Sequence, residues 1–164
     1  MASAQQLFPI VRTARQAAEF AGPIFKGLRE EKLAVLHLDA ERRLLGFVEG
    51  RLAAKAELNL PIRAIVADAL RFGSAGLILA HNHPSGDESP SAADVEATKR
   101  LATVLGELGV ALHDHLVFAA GRISSFRLLG LGLLGLRRVG LGDLVLLVLG
   151  VGHGYFILTL SLPA

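Results

Sequence analysis

The sequence predicts an α/β fold, a single domain built on a mixed sheet flanked by helices. Three observations lead there. At 164 residues the chain can bury one substantial core but is short for two domains. Its apolar residues fall either in short continuous runs, as in buried strands, or in stripes at helical spacing. These segments follow one another as hairpin, helix, strand, helix, strand, the order of a layered α/β domain.

Residues 12–30 place Ala17, Phe20, Ile24 and Leu28 at helical spacing, and Pro23 and Gly27 break or kink that helix. The run 33–39 reads as a strand, 40–42 as its turn and 44–49 as the returning partner, so 33–50 is a hairpin. Residues 51–58 read as a short strand with loop. Asn59-Leu60-Pro61 is a helix start, with Asn as cap and Pro in the first turn, where its missing N–H costs nothing. Ile62, Ile65, Val66, Ala69 and Leu70 form one apolar stripe, and Gly73 stops the helix. The apolar run 76–80 is a buried strand. A further helix begins at Ser91, carries Val95, Thr98, Leu101, Ala102, Leu105 and Leu108 along one face, and ends at Gly109. Residues 110–119 read as a strand that Gly121-Arg122 turns into 123–126.

The chemistry lies between the third strand and the helix after it. Alternate residues of a strand share a face, so a strand running on through His83 projects His81 and His83 side by side. Pro84 ends the ladder because it has no N–H to donate. Asp94 falls one turn into the next helix. Two imidazoles and one carboxylate that converge, with a fourth position left open, are how a catalytic zinc is held. Ser91-x-x-Asp94 is equally a helix capping box, and a lone His-x-His on a strand is most often surface decoration. His-x-His, seven residues, then Ser-x-x-Asp is a much rarer combination.

That combination resembles the JAMM motif of MPN-type (JAB domain) zinc metalloproteases. His-Asn-His-Pro-Ser-Gly followed by Pro-Ser-x-x-Asp resembles the bacterial RadC family in particular. The resemblance covers residues 10 to about 130 and implies an MPN/JAB-like, cytidine-deaminase-like sheet. It implies Zn2+ bound by His81, His83 and Asp94, and Ser91 supporting the tetrahedral intermediate or the metal-bound water. It also implies a glutamate general base just before the first strand. Alignment on Leu36-His37-Leu38-Asp39 selects Glu31, with Glu30 the alternative and a solvated Arg-Glu-Glu-Lys charge run the plain reading. The substrate implied is a peptide or protein, cut at a peptide or isopeptide amide. His113-Asp114-His115 is a rival His-x-His without the spaced serine and carboxylate; Asp114 and His115 match the family pattern and read as supporting groups, whereas His113 does not match. His37 reads as packed in mid-strand. Two other roles stay open, a non-catalytic MPN-type interaction module and a DNA-repair accessory. The second is weakened because the helix-hairpin-helix region that commonly precedes the domain is not present here.

Composition excludes other classes. The chain has no cysteine, hence neither disulfides nor thiolate chemistry, which fits a reducing cytoplasm. The first eight residues lack the basic start and apolar region of a signal peptide, so the expectation is a cytoplasmic protein. Residues 1–127 hold 15 Lys and Arg against 14 Asp and Glu, a net of +1. Without a basic stripe or interleaved aromatics, charge gives nucleic-acid binding no support. The expected division is a helical segment 1–30, a catalytic domain 31–127 and a tail 128–164. That tail holds 14 Leu and 8 Gly in 37 positions and lies outside the resemblance. Residues 144–164 are uncharged and long enough to span a membrane, but Gly150, Gly152, His153 and Gly154 make a poor span. An extension without function, an extra packed element and a membrane anchor all remain open for it.

Overall fold

The computed structural model describes residues 9–50 and 60–131 in full, and the backbone of residues 51, 144–151 and 154–161. A hairpin begins the sheet, as the two apolar runs around 40–42 require: β1 (Lys32–Leu38) pairs antiparallel with β2 (Leu44–Arg51). On its other edge β1 pairs antiparallel with β3 (Gly76–Asn82), and β3 runs parallel to β4 (Ala111–Ala119). β4 then pairs antiparallel with β5 (Arg122–Ser125), giving the order β2-β1-β3-β4-β5. This is the mixed sheet the sequence predicts.

One helix covers one face of the sheet and two cover the other. α1 (Ala14–Phe25) starts at Thr13, whose side chain accepts the Gln16 N–H while the Gln16 side chain accepts the Thr13 N–H. Pro23 is accommodated inside this helix, which ends two residues later, ahead of Gly27 at φ 75°. Ala17, Ala21 and Phe25 pack on Ala34, Leu36, Leu38, Ile78, Ala80 and Leu116. On the opposite face α2 (Ile62–Phe72) and α3 (Ala92–Glu107) set Ile65, Ala69, Ala97, Leu101 and Leu105 against Leu33, Val35, Leu77, Leu79, Leu112 and Val117. The strands thus alternate between the two cores residue by residue. Buried on both faces, they read as unbroken apolar runs.

Several boundaries differ from expectation. Pro61 is the N-cap residue of α2 and makes no side-chain cap; Asn59 lies outside the described residues, as do 52–58. Gly73 does stop α2, in the left-handed region, donating its N–H back to Leu70 O. Leu70 and Leu108, expected on apolar faces, are 62% and 45% exposed. Leu70 lies to the side of the buried Ile65 and Ala69, and Leu108 is the C-cap residue, past the last turn of α3. β3 stops one residue short of His83, but the His83 N–H still donates to Phe118 O at 2.8 Å, so the chain keeps its line. In the tail, β6 (Leu144–Val151) and β7 (Gly154–Ser161) pair antiparallel as a two-stranded sheet. Among the described residues no helix is long and apolar enough to cross a membrane.

His37 is packed, as expected, at some cost. It is fully buried in β1, with Nδ1 2.9 Å from Ser74 Oγ and its ring stacked on Phe72 at 4.4 Å. Its Nε2 has no hydrogen-bond partner, so a second proton on the ring would carry an unpaired charge. Burial therefore lowers its pKa from 6.5 to about 4, Asp68 opposing and Arg71 adding to the shift. The unfolded chain takes up this proton at higher pH than the folded one. Stability is accordingly complete above about pH 6.5, falls as pH drops through that window, and levels off below about 4. At about 1.4 kcal/mol per pKa unit the expected loss is on the order of 3 kcal/mol. Denaturant unfolding of wild type and His37→Leu between pH 7.5 and 4 measures it, because other histidines titrate in both proteins. Equal pH slopes in the two would remove His37 as the cause.

Candidate metal centre

β3 carries His81, Asn82 and then His83 to the carboxyl edge of the sheet, where ligand sites of open α/β sheets gather. Pro84 ends the pairing, Gly86 at φ 87° makes the turn, and the loop is tied down by β5. Arg122 donates to Gly86 O at 3.1 Å, Ser124 Oγ donates to Glu88 O at 2.6 Å, and Arg122 pairs with the Glu88 carboxylate at 2.7 Å. α3 then starts at Ser91. Ser91 Oγ accepts the Asp94 N–H at 3.1 Å, and Asp94 Oδ2 accepts the Ser91 N–H at 2.7 Å. The capping box is therefore formed, and it aims the Asp94 carboxylate at the strand end.

The structure brings His81, His83 and Asp94 together. The two Nε2 atoms lie 2.9 Å apart; Asp94 Oδ1 is 3.5 Å from His81 Nε2 and Oδ2 is 3.4 Å from His83 Nε2. His81 and Asp94 are buried, and His83 is partly open.

Hydrogen bonds behind these groups decide where their protons sit. His83 Nδ1 lies 2.7 Å from Asp87 O, a carbonyl that only accepts, so the hydrogen of neutral His83 is on Nδ1. Thr98 Oγ donates to Asp94 O at 2.5 Å and must therefore accept from His115 Nδ1 at 2.7 Å. His115 Nε2 is then a lone pair that accepts from His81 Nδ1 at 2.7 Å. In these tautomers the Nε2 atoms of His81 and of neutral His83 turn their lone pairs towards the Asp94 carboxylate. Burial, opposed by Asp94, lowers His81 to about 4, and burial lowers His115 well below 6.5, so neither supplies a positive charge at neutral pH. Two imidazole nitrogens and a carboxylate converging on one point are a donor set suited to a cation. Their spacing also suits one, since ligands of a tetrahedral zinc at about 2.0–2.1 Å lie roughly 3.3 Å apart. The set could hold a metal ion and leave a coordination position open.

A bulge in β4 decides which histidine supports the site. Leu77 pairs with Leu112 but Ile78 pairs with Asp114, so His113 is skipped. The extra residue turns every later side chain to the other face. His115 thereby comes behind His81, stacked on Phe126 at 4.6 Å, while His113 lies over Gly76, where a Cβ would collide with its ring. Asp114 accepts from Ser125 Oγ at 2.6 Å and from the Arg127 N–H at 3.1 Å, which fixes the turn after β5. Ser91 and Glu31 are exposed, Glu31 directly ahead of β1. Glu30 precedes it at a bend. Two residues escaped the sequence reading. Thr98 read as part of an apolar stripe, although a threonine one turn after a candidate ligand is placed to bond its carbonyl. Asn82, between the histidines, drew no reading at all.

A family model described as RadC-like JAB domain matches residues 11–131. The chain belongs to this family. Relatives include UPF0758 proteins of Rhodobacter capsulatus, 41% identical over 62% of this chain and 47% of theirs, and of Shouchella clausii, 33% identical over 73% and 52%. Another, from Aquifex aeolicus, is 36% identical over 71% of this chain and 50% of its own. The chain spans about half the length of the curated relatives it matches. In this RadC-like JAB domain the matched span takes in α1 and runs on to Leu131, whose side chain packs against the same core as α2 and α3.

Proposed function

We propose that this RadC-like JAB domain is a zinc-dependent metallohydrolase of the metallopeptidase or isopeptidase type. The observation that carries the reading is the convergence of His81 Nε2, His83 Nε2 and the Asp94 carboxylate at the end of β3. A zinc ion held by His81, His83 and Asp94 would lower the pKa of water and polarise an amide carbonyl. Glu31 accepts a proton from the attacking water and returns it to the leaving amine. His115 and Thr98 keep His81 in the tautomer whose Nε2 is free to ligate. The substrate proposed is a peptide or protein, whose amide carbonyl takes the polarisation and whose leaving nitrogen takes the returned proton. The decisive experiment is metal analysis of the purified chain together with amide hydrolysis by wild type and Glu31→Gln. Iron in place of zinc, which a two-histidine, one-carboxylate set also suits, would overturn the metal assignment.

Ser91 is proposed to donate a hydrogen bond to the developing oxyanion. Its oxygen accepts the Asp94 N–H, and accepting leaves the hydroxyl hydrogen available. Two costs are then expected from Ser91→Ala. Loss of the cap costs about 0.5–2 kcal/mol of stability, and loss of the donor lowers kcat by roughly 10²- to 10³-fold. Thermal unfolding and single-turnover hydrolysis on one sample separate them. Lower stability with intact turnover would make Ser91 a cap alone.

A further inference from the structure

Asn82 is a buried amide with both ends in use, and neither end faces the metal ligands that flank it. Oδ1 accepts the Lys32 N–H at 2.8 Å, and Nδ2 donates to Glu30 O at 3.0 Å. The main-chain ladder between β1 and β3 is in register only as far as Leu33 opposite His81. One residue further on, the Asn82 side chain takes over the pairing from the main chain. In an extended chain the C=O of one residue and the N–H of the second residue after it point the same way. A single amide bonds both only when the residue between them is extended, and that residue is Glu31. An extended Glu31 shares a face with Leu33, and Leu33 shares a face with its cross-strand partner His81.

We infer that Asn82 is a positioning residue that holds Glu31 on the metal face of the sheet. The inference rests on the metallohydrolase reading for its catalytic consequence. Asparagine is suited to the task because one planar group offers a donor and an acceptor together; aspartate keeps the acceptor and loses the donor. The clamp acts from the strand that carries the ligands, so base and ligands are registered to one another by a single residue.

The test uses the zinc-loaded full chain with Asn82→Ala, and Asn82→Asp as a variant of nearly the same shape. In Asn82→Ala the Lys32 amide is expected to exchange its hydrogen at least about tenfold faster while zinc content is unchanged, because a main-chain donor loses its acceptor. Turnover should fall about 10²-fold in kcat with little change in KM, the cost of a base displaced by about 1 Å. Adding Asn82→Ala to Glu31→Gln should cost nothing further, because Asn82 acts through Glu31. Unchanged Lys32 exchange, or a double variant much slower than Glu31→Gln alone, overturns the assignment. So does loss of zinc in both Asn82 variants, which would make the residue a support of the ligand strand instead. A wild-type chain that holds zinc but cleaves no amide brings down the metallohydrolase reading, and Lys32 exchange still decides the clamp.

Discussion

Alanine at His81, His83 or Asp94 is expected to abolish zinc binding while the sheet still forms. Catalytic zinc sites use three protein ligands and a water, and two ligands hold the ion far less tightly. The variants should differ in stability in a way the structure orders. His83 is the least enclosed of the three, and its loss frees the Asp87 carbonyl and removes the contact with Asp94 Oδ2. Asp94→Ala also removes the acceptor of the Ser91 N–H, costing on the order of 1 kcal/mol at the helix start. His81→Ala opens a cavity among fully buried side chains and strips His115 Nε2 of its donor, so it should be the least stable of the three. Metal content per chain, with melting curves before and after a chelator, measures both effects. A ligand that binds only the folded state raises the melting temperature, so the chelator should shift wild type and leave the variants alone. Zinc content equal to wild type in all three would sink the site.

Glu31→Gln should keep zinc and lose amide hydrolysis by roughly 10²- to 10⁴-fold, the usual worth of a general base. Glutamine keeps the size and hydrogen-bonding reach of the side chain but takes up no proton at neutral pH. The neighbour is the natural control. Glu30 gives its carbonyl to Asn82 and sits at a bend one residue earlier, out of step with Leu33 and His81. Glu30→Gln should therefore stay close to wild type. If Glu30→Gln shows the large loss instead, the base is one residue earlier than proposed. If neither does while zinc is bound, a scaffold role for the domain gains ground.

Much of the fold was readable from residue order. Period alone separated the apolar runs of β1, β3 and β4 from the stripes of α2 and α3, because burial on two faces or on one leaves a different pattern along the chain. Helix ends were readable where they rest on local chemistry. Gly73 and Gly109 mark left-handed stops, and the capping box at Ser91 needs only residues three apart. Leu70 and Leu108 were misread because helical spacing reports which side of a helix is apolar and not how wide its buried face is or where its last turn closes.

The sequence by itself determined the candidate ligands, since His81, His83 and Asp94 lie close along the chain, joined by one turn whose Pro and Gly are local signals. The tautomer of His81 was decided by the tertiary structure. His81 presents a lone pair because His115 and Thr98, brought up by a neighbouring strand and helix, take the hydrogen on its far side. That arrangement depends on the skipped His113, a one-residue slip in the pairing of β4 that changes which face each later side chain occupies. Strand pairing is a relation between distant segments, and the residues on either side of the bulge would read the same without it. The clamp of Asn82 on Glu30 and Lys32 spans about fifty residues in the same way. Candidate ligands grouped by sequence were legible; the groups that orient them meet only across the sheet, where register decides what touches what.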